Sequence, residues 1–268
     1  MEPALLVERE GHIVTLTLNR PARKNAFNPE VLCRLCDAFD MIDEDDDIRV
    51  AILTGAEGNF SAGADLDQLV TKMMKGLPPE DEWDERVRAD YGILYKGFLK
   101  DRYVTKPLIA AIEGACYAGG TEILQGIDIR VAGESAKIAI SEVKRGLFPM
   151  AGSTVRLRRQ IAFTHAMEIL LVGDPLTAAE AARIGLIGQV VPDGQALAKA
   201  KEIAGKIAAN GPLAVKNIKL SVIESEFLSE AEAYKREQEL GMEVMSSADA
   251  REGPKAFLEK RPPNYKGR

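Results

Sequence analysis

The chain has 268 residues, enough for one large domain with a substantial core, and its 46% hydrophobic and 28% charged residues are typical of globular proteins. Its formal net charge of -6 argues against the basic surface that nucleic-acid-binding proteins present. Only 2 His and 3 Cys are present, so we expect neither a metal site with several such ligands nor a disulfide framework.

The chain also lacks the signals of a membrane or secreted protein. No apolar run reaches membrane-spanning length, because Glu113 interrupts the best one. No basic segment precedes an apolar one at the start, as it would in a secretory signal. We therefore expect a cytoplasmic protein whose partners include neither membranes nor nucleic acid.

The first part of the chain predicts short strands that alternate with helices. Residues 12–19 alternate apolar and polar side chains, as a strand does, and residues 50–55 form a short buried strand. Between them, Asn28 and Pro29 predict the start of a helix. A glycine-rich loop at residues 58–65 then precedes another helical pattern.

Two glycine-rich loops resemble catalytic motifs but each lacks an essential residue. In residues 58–65, Asn59 stands where a nucleophile elbow requires its first Gly. In residues 114–121, Gly120 replaces the phosphate-binding Lys of a Walker A motif. The sequence therefore favours neither a serine hydrolase nor an NTPase.

Residues 72–102 differ in composition from their surroundings. They contain Pro78-Pro79, many charges and scattered aromatic side chains. Two interpretations stay open: a helical insert that shapes a pocket, or a helical excursion on the surface.

Residues 114–122, with the sequence GACYAGGTE, form the predicted reaction centre. They connect an apolar strand to a short helix, so several backbone N–H groups lack partners inside the helix. Such a turn binds an anion, or an oxygen that becomes negative during a reaction. Gly119 and Gly120 allow a ligand to approach the backbone, and Glu122 adds a carboxylate beside it.

The remaining chain predicts two more short strands and then mainly helices. The strand at residues 137–140 delivers Glu142, and the spacing of Val155 to Leu170 predicts one long amphipathic helix. A capping box at Thr177 opens another helix, and residues 190–192 form the last strand. The helical tail that follows is expected to break at Gly211-Pro212, Gly253-Pro254 and Pro262-Pro263. This order predicts an α/β core with parallel strands and a C-terminal helical subdomain through which the chain associates.

Several motifs occur together in a characteristic order and spacing. They are Asn19-Arg20-Pro21 with Asn25-Ala26, residues 60–65, residues 114–122, Ser141-Glu142 with Gly146 and Pro149, and residues 249–260. With them the chain resembles the enoyl-CoA hydratase/isomerase (crotonase) family over essentially its whole length. The resemblance implies a spiral of ββα turns over residues 1–195. It also implies helices over residues 196–268 that build a homotrimer, commonly doubled into a homohexamer.

The resemblance also implies a substrate and its contacts. Members of the family bind acyl-CoA thioesters and stabilise an enolate-like thioester oxygen with two backbone N–H groups, which by position belong to Ala62 and Gly119. The residues expected to contact CoA are Lys24, Ala26, Ala64, Asp65 and Leu66, with Phe257 and Lys260 often reaching it from a neighbouring subunit. CoA enters as part of the substrate, and no metal or redox cofactor is expected.

Two carboxylates indicate which member of the family this is. Hydratases carry Glu at the positions of Glu122 and Glu142, and addition of water needs both a base and an acid. We assign Glu122 to the water and Glu142 to the Cα proton. Glu142 is expected to have a raised pKa in an apolar pocket, whereas the helix N-terminus would hold the pKa of Glu122 lower.

The predicted activity is reversible hydration of trans-2-enoyl-CoA to 3-hydroxyacyl-CoA, in β-oxidation of fatty acids or of steroid side chains. Two alternatives stay open: a Δ3,Δ2-enoyl-CoA isomerase, which would need only Glu142, and a non-catalytic acyl-CoA-binding scaffold.

Overall fold

The computed structural model describes residues 2–268, so residue 1 of the predicted core lies outside the described residues. These residues form an α/β fold in which strands and helices alternate before a helical C-terminal part. The strands are β1 Leu5–Glu10, β2 Ile13–Leu18, β3 Val50–Gly55, β4 Leu108–Ile112, β5 Ala115–Tyr117, β6 Ile129–Gly133, β7 Lys137–Ala139, β8 Leu176–Thr177 and β9 Gln189–Val191. The first eight helices are α1 Pro29–Glu44, α2 Lys72–Lys75, α3 Glu82–Ala89, α4 Gly92–Gly97, α5 Gly119–Leu124, α6 Ser153–Gln160, α7 Phe163–Val172 and α8 Ala178–Arg183. They are followed by α9 Ala196–Ala208, α10 Pro212–Ser225, α11 Glu230–Ser246 and α12 Ala248–Leu258.

Within the described residues the strands form two sheets. The larger has the order β1-β2-β3-β4-β6-β9, and the smaller has the order β5-β7-β8. The β1–β2 and β7–β8 pairs are antiparallel and all other pairs are parallel. The predicted parallel core is therefore present, with an antiparallel strand added at the edge of each sheet.

From β4 onward the chain passes back and forth between the two sheets, which gives it a spiral course. β4 lies in the larger sheet, β5 in the smaller, and α5 then leads back to β6. One turn earlier, β3 is followed by Ser61, which forms an isolated parallel bridge with Cys116 of β5. Equivalent segments of successive ββα turns are thus stacked side by side.

Helix α1 shows how local sequence positions the core. Asn28 caps the helix by accepting a hydrogen bond from the Val31 N–H at 3.0 Å, and Pro29 occupies the first turn, as predicted. Its apolar face, including Leu32, Leu35 and Phe39, is fully buried. Burial of each such side chain contributes about 1.5–3 kcal/mol, so this face anchors the helix to the sheet.

Helix α9 packs against the sheet rather than with the helices that follow it. Ala196, Ala200 and Ala204 are buried against strand residues such as Ile52 and Ile109. Their small side chains allow the helix to lie close to the sheet. Helix α9, with which the predicted C-terminal subdomain begins, therefore packs against the larger sheet.

One strand was not predicted, and two expectations about local structure were wrong. Strand β1 was missed because only Leu5 of it is buried, so its sequence lacks the alternating pattern of a half-buried strand. The single long helix is two, since Ile161 adopts an extended conformation and turns its side chain into the core. Helix α12 continues through Pro254, where a break was expected, and the Asp249 carboxylate near its start accepts the N–H groups of Lys266 and Gly267 from the tail. Among the described residues, no helix is both long and apolar enough to cross a membrane.

Candidate active site

The stacked turns bring three chain segments to one edge of the smaller sheet. Ser61, β5 and β7 run parallel, so the residues that follow them emerge at the same edge. These are residues 62–65, the turn into α5, and a 3₁₀ helix at Glu142–Arg145. They line a cavity of about 770 Å³.

The cavity unites most of the predicted site residues. Those that line it are Lys24, Ala26, Ala62, Ala64, Asp65, Leu66, Gly119, Glu122 and Glu142. Phe257 and Lys260 do not line it; they lie at the end of α12, where Phe257 is 82% exposed. One subunit thus contains the predicted reacting groups but not the predicted C-terminal contacts.

The two N–H groups that face the cavity belong to Ala64 and Gly119. The prediction for Ala62 was wrong, because its N–H donates to the Lys24 carbonyl at 2.8 Å. Within residues 2–268, the N–H groups of Ala64 and Gly119 have no hydrogen-bond partner. Both residues line the cavity, so these two donors are free to receive a ligand oxygen.

Close packing around Gly119 explains why this position requires glycine. A Cβ placed on Gly119 would lie 2.9 Å from the Phe98 ring and 3.5 Å from the Ala64 nitrogen. The preceding residue, Ala118, adopts φ 51° and ψ -123°, a conformation that glycine tolerates better. Its N–H donates to the Ala139 carbonyl at 2.7 Å, so β7 holds this strained turn in place.

Glu122 is a buried carboxylate with several hydrogen-bond donors. It is 3% exposed, and its Oε1 accepts from the N–H groups of Ala151 at 3.0 Å and Ser153 at 3.2 Å. Burial nevertheless raises the pKa of Glu122 above its ordinary value, while these donors oppose the rise. The donors that hold the pKa of Glu122 down belong to the segment leading into α6, rather than to the N-terminus of α5 as expected.

Glu142 lies opposite and has no such donors. Its Oε2 is buried and has no hydrogen-bond partner among the described residues. Burial, followed by the neighbouring charge of Glu122, raises the pKa of Glu142 to about 8. Near neutral pH, Glu142 therefore retains its proton, whereas the donors around Glu122 favour its ionised form.

The segment at residues 72–102 contributes the apolar wall of the cavity. Leu94, Tyr95 and Phe98 line it from α4 and its end, and Met73 lines it from α2. Leu147, Phe148 and Met150 are further lining residues, from the loop before α6. The interpretation of residues 72–102 as a pocket-shaping insert is therefore confirmed.

Comparison with known proteins shows to which family this chain belongs. A family model described as enoyl-CoA hydratase/isomerase matches residues 8–268. The chain belongs to the enoyl-CoA hydratase/isomerase family. It is 54% identical over 267 residues to the enoyl-CoA hydratase EchA19 of Mycobacterium tuberculosis, covering 99% of this chain and 97% of that protein. It is 33% identical over 264 residues to the 2,3-dehydroadipyl-CoA hydratase of Escherichia coli, covering 98% and 99% of the two chains.

Solved structures agree with the sequence relatives. A putative enoyl-CoA hydratase/isomerase from Mycobacterium abscessus matches with a TM-score of 0.88 and 47% identity, covering 99% of this chain and 100% of that one. An enoyl-CoA hydratase from Mycobacterium tuberculosis matches with a TM-score of 0.87 and 38% identity, covering 100% of both chains. The predicted crotonase-like fold with a C-terminal helical region is therefore confirmed.

The Asp65 carboxylate is held by contacts within the protein. It forms a 3.0 Å ion pair with Arg20 and caps the π-helical turn Leu66–Thr71 by accepting from the N–H groups of Asp67 and Gln68. The Asp65 N–H donates to the Phe27 carbonyl. These contacts fix the cavity wall at Asp65, and its contact with CoA stays a prediction.

Sequence analysis missed the residues that support Glu122. Ala151 and Ser153 lie just before the helix predicted from the spacing of Val155 to Leu170, and both of their N–H groups donate to the Glu122 carboxylate. The signal available in the sequence was Gly152 just before a predicted helix, because the first N–H groups of a helix need external acceptors. In the structure Gly152 adopts φ 115° directly before α6. A buried Glu is one such acceptor.

Proposed function

We propose that the protein is an enoyl-CoA hydratase, which adds water reversibly to trans-2-enoyl-CoA and gives 3-hydroxyacyl-CoA. The observation that carries this proposal is the pairing of two buried carboxyl groups in unlike environments, Glu122 and Glu142, in one cavity with two free N–H donors. The names of the relatives, including EchA19, support the same activity.

The free N–H groups stabilise the charge that develops in the reaction. The thioester carbonyl oxygen accepts hydrogen bonds from Ala64 and Gly119. Attack of water at Cβ shifts electrons towards this oxygen, and fixed donors stabilise the enolate-like state most strongly. An apolar wall that excludes bulk water strengthens the interaction.

The two carboxyl groups divide the proton transfers. Ionised Glu122 orients the water and takes one of its protons as the oxygen bonds to Cβ. Protonated Glu142 gives its proton to Cα. At the end of the reaction Glu122 carries a proton and Glu142 is ionised. Transfer of this proton from Glu122 to Glu142 restores the starting state. These steps require no metal or redox cofactor.

The lining of the cavity supports substrates with apolar acyl groups. Residues 72–102 and the loop before α6 line it with aliphatic and aromatic side chains. We therefore propose a role in β-oxidation of fatty acyl or steroid side-chain thioesters. We also place it in the cytoplasm, since Cys33, Cys36 and Cys116 are free thiols.

The proposed activity is tested by the loss of enoyl-thioester absorbance after enzyme is added to short, long and steroidal trans-2-enoyl-CoA. Turnover with at least one substrate is expected. Isomerisation of 3-enoyl-CoA without hydration would instead indicate an isomerase. Binding of CoA thioesters with no turnover of any substrate would indicate a scaffold, and either result overturns the proposal.

A Gly119→Ala variant tests the N–H donors. Its new Cβ would press on the Phe98 ring and displace the Gly119 N–H from the Ala64 N–H. Because this interaction strengthens in the transition state, we expect kcat to fall about 100-fold with a smaller change in KM. Gly205→Ala, on the exposed face of α9 with nothing within 4 Å, is the matched control and should keep full activity. Equal activity of the two variants would contradict the assignment.

The C-terminal helices support a proposal about assembly. Exposed apolar side chains on α10, α11 and α12 include Val222, Met245 and Phe257. We propose that a homotrimer or homohexamer covers them, and that Phe257 and Lys260 reach CoA bound to a neighbouring subunit. Light scattering should give three or six times the chain mass of 29.2 kDa. A mass of one chain in solution would contradict this proposal.

A further inference from the structure

The turn at residues 20–26 has a strained backbone and lines the cavity through Lys24 and Ala26. Two successive residues, Lys24 and Asn25, adopt positive φ angles of 47° and 55°. This left-handed conformation is unfavourable for most residues other than glycine, although Asn tolerates it. Such strain persists only where surrounding contacts hold the backbone, and it is common where a protein clamps a ligand. The contacts that hold this turn therefore bear on binding at the cavity.

Arg20 holds the turn through both its backbone and its side chain. Its carbonyl accepts from the N–H groups of Arg23 and Asn25, both at 2.9 Å. Its own N–H donates to Asn25 Oδ1 at 3.0 Å. Its guanidinium Nη1 donates to the Ala26 carbonyl at 2.6 Å, so the contacts of Arg20 close the turn from its first residue to its last.

The same guanidinium connects the turn to a second part of the cavity wall. Arg20 Nη2 lies 3.0 Å from Asp65 Oδ2 and 2.7 Å from Gln68 Oε1. Asp65 caps the π-helical turn Leu66–Thr71 and Gln68 lies within it, and this π-helical turn lines the cavity. The Arg20 side chain is 13% exposed and is not among the described residues that line the cavity. Arg20 therefore joins two parts of the wall from behind.

The contacts of Arg20 depend on the fixed geometry of a guanidinium. Two of its nitrogen atoms hold three acceptors: a backbone carbonyl, a carboxylate and an amide oxygen. The ammonium of a lysine is a point charge on a flexible stem and lacks this rigid fork. A lysine at this position could keep the ion pair with Asp65 but would not fix Ala26 and Gln68 at the same time.

The turn presents positive charge to the cavity. Arg23 and Lys24 are both exposed, and both line the cavity. Residues 72–102 and the loop before α6 supply a mainly apolar lining instead. An acyl-CoA has the same division, since its nucleotide carries phosphate groups and its acyl chain is apolar. Arg and Lys are the side chains that bind phosphate, so the turn is suited to the nucleotide end of the substrate.

We propose that Arg20 is a positioning residue for the nucleotide half of the acyl-CoA substrate, and that it acts by holding the strained turn against the π-helical turn. The proposal rests on the proposed function. Arg20 does not touch the substrate; it fixes the backbone that carries Arg23 and Lys24. A turn that is already ordered loses less conformational freedom when the ligand binds. The nucleotide lies away from the reacting bond, so this clamp contributes to KM rather than to kcat.

Arg20→Lys is expected to raise KM for an enoyl-CoA by about 10-fold and to change kcat by less than about 2-fold. The corresponding enoyl-pantetheine thioester has the same reacting group but no nucleotide, so its kcat/KM should stay within about 2-fold of wild type. Arg102→Lys is the matched control, because the Arg102 side chain is 17% exposed, pairs with Asp40 and Asp43, and lies outside the cavity lining. It should turn over both thioesters as the wild type does.

The two thioesters separate the proposed role from a general structural one. An equal loss of kcat/KM with both would show that Arg20 only supports the fold, and would overturn the proposal. An unchanged KM for the enoyl-CoA would also overturn it. Gln68→Met removes one acceptor of Arg20 but keeps the ion pair with Asp65, and should raise KM in the same direction by a smaller factor. If Arg20→Lys does not fold, the comparison of thioesters with Gln68→Met decides the question.

Calorimetry with CoA itself tests the clamp without turnover. The Kd of CoA should be about 10-fold higher for Arg20→Lys than for wild type. A wild type that binds CoA but hydrates no enoyl-CoA would overturn the proposed function, whereas weaker binding by the variant would still support the clamp. Equal affinity of wild type and variant for CoA would overturn the clamp even in an active hydratase. A wild type that does not bind CoA would overturn both.

Discussion

Replacing Glu142 with Gln is expected to lower kcat for hydration by about 1,000-fold, with little change in KM. The Gln side chain has nearly the same shape but has no acidic proton to give to Cα, and general acid catalysis is typically worth about 10²–10⁴-fold. The cavity and the N–H donors of Ala64 and Gly119 remain, so binding should persist. Loss of enoyl-thioester absorbance measures kcat and KM together.

The pH dependence of wild type and variant tests the role of Glu142 directly. Because the pKa of Glu142 lies at about 8, wild-type kcat/KM should fall as pH rises above this value and the proton is lost. The residual activity of Glu142→Gln should lack this alkaline limb. An alkaline limb that persists unchanged in the variant would assign the acid to another group.

Stability provides a control for the same substitution. A carboxyl with a raised pKa binds its proton more tightly when folded, so wild-type stability decreases as pH rises from the unfolded pKa near 4.5 to the folded pKa of about 8. Gln does not titrate. Glu142→Gln should therefore be more stable than wild type at pH 8, by on the order of 4 kcal/mol, and similar at pH 4. A variant that is less stable at pH 8 in thermal unfolding would contradict the raised pKa.

The fold was predictable where local signals were strong. Asn28 and Pro29 mark the start of α1, and the apolar run at Leu108–Ile112 forms the central strand β4. Prediction failed where tertiary contacts decide the outcome. Pro254 lies inside α12, although Gly253-Pro254 is a local signal for a break, and the contact of the chain terminus with Asp249 has no local pattern that predicts it.

The site residues also fall into those that local motifs predict and those that depend on tertiary contacts. Glu122, Glu142 and Gly119 could be named from sequence motifs. The two Glu side chains transfer protons, and the position of Gly119 requires a residue without a side chain. A sequence motif does not show whether a backbone N–H group is free to bind a ligand oxygen. The Ala62 N–H is engaged by Lys24, 38 positions away in the sequence, so only the folded chain shows that the free donor is Ala64. The support of Glu122 by Ser153 likewise depends on the packing of α6 against α5.

Replacing Glu122 with Gln is expected to lower kcat for hydration by about 1,000-fold or more. The Gln oxygen can still accept the N–H groups of Ala151 and Ser153, so the side chain should keep its position. It has no negative charge, however, and cannot take a proton from water. The loss therefore isolates base catalysis from positioning of the side chain, which the N–H groups of Ala151 and Ser153 would still provide.

The measurement should follow hydration of trans-2-enoyl-CoA and isomerisation of 3-enoyl-CoA in parallel. Glu134→Gln, an exposed substitution outside the cavity, serves as the matched control and should leave hydration unchanged. Hydration needs both carboxyls, whereas transfer of the Cα proton needs only Glu142, so Glu122→Gln should lose the first reaction more completely than the second. Normal hydration by Glu122→Gln would show that the water is activated elsewhere. Such a result would leave the oxygen-binding N–H groups of Ala64 and Gly119 in place but remove the basis for assigning the two carboxyls to separate protons.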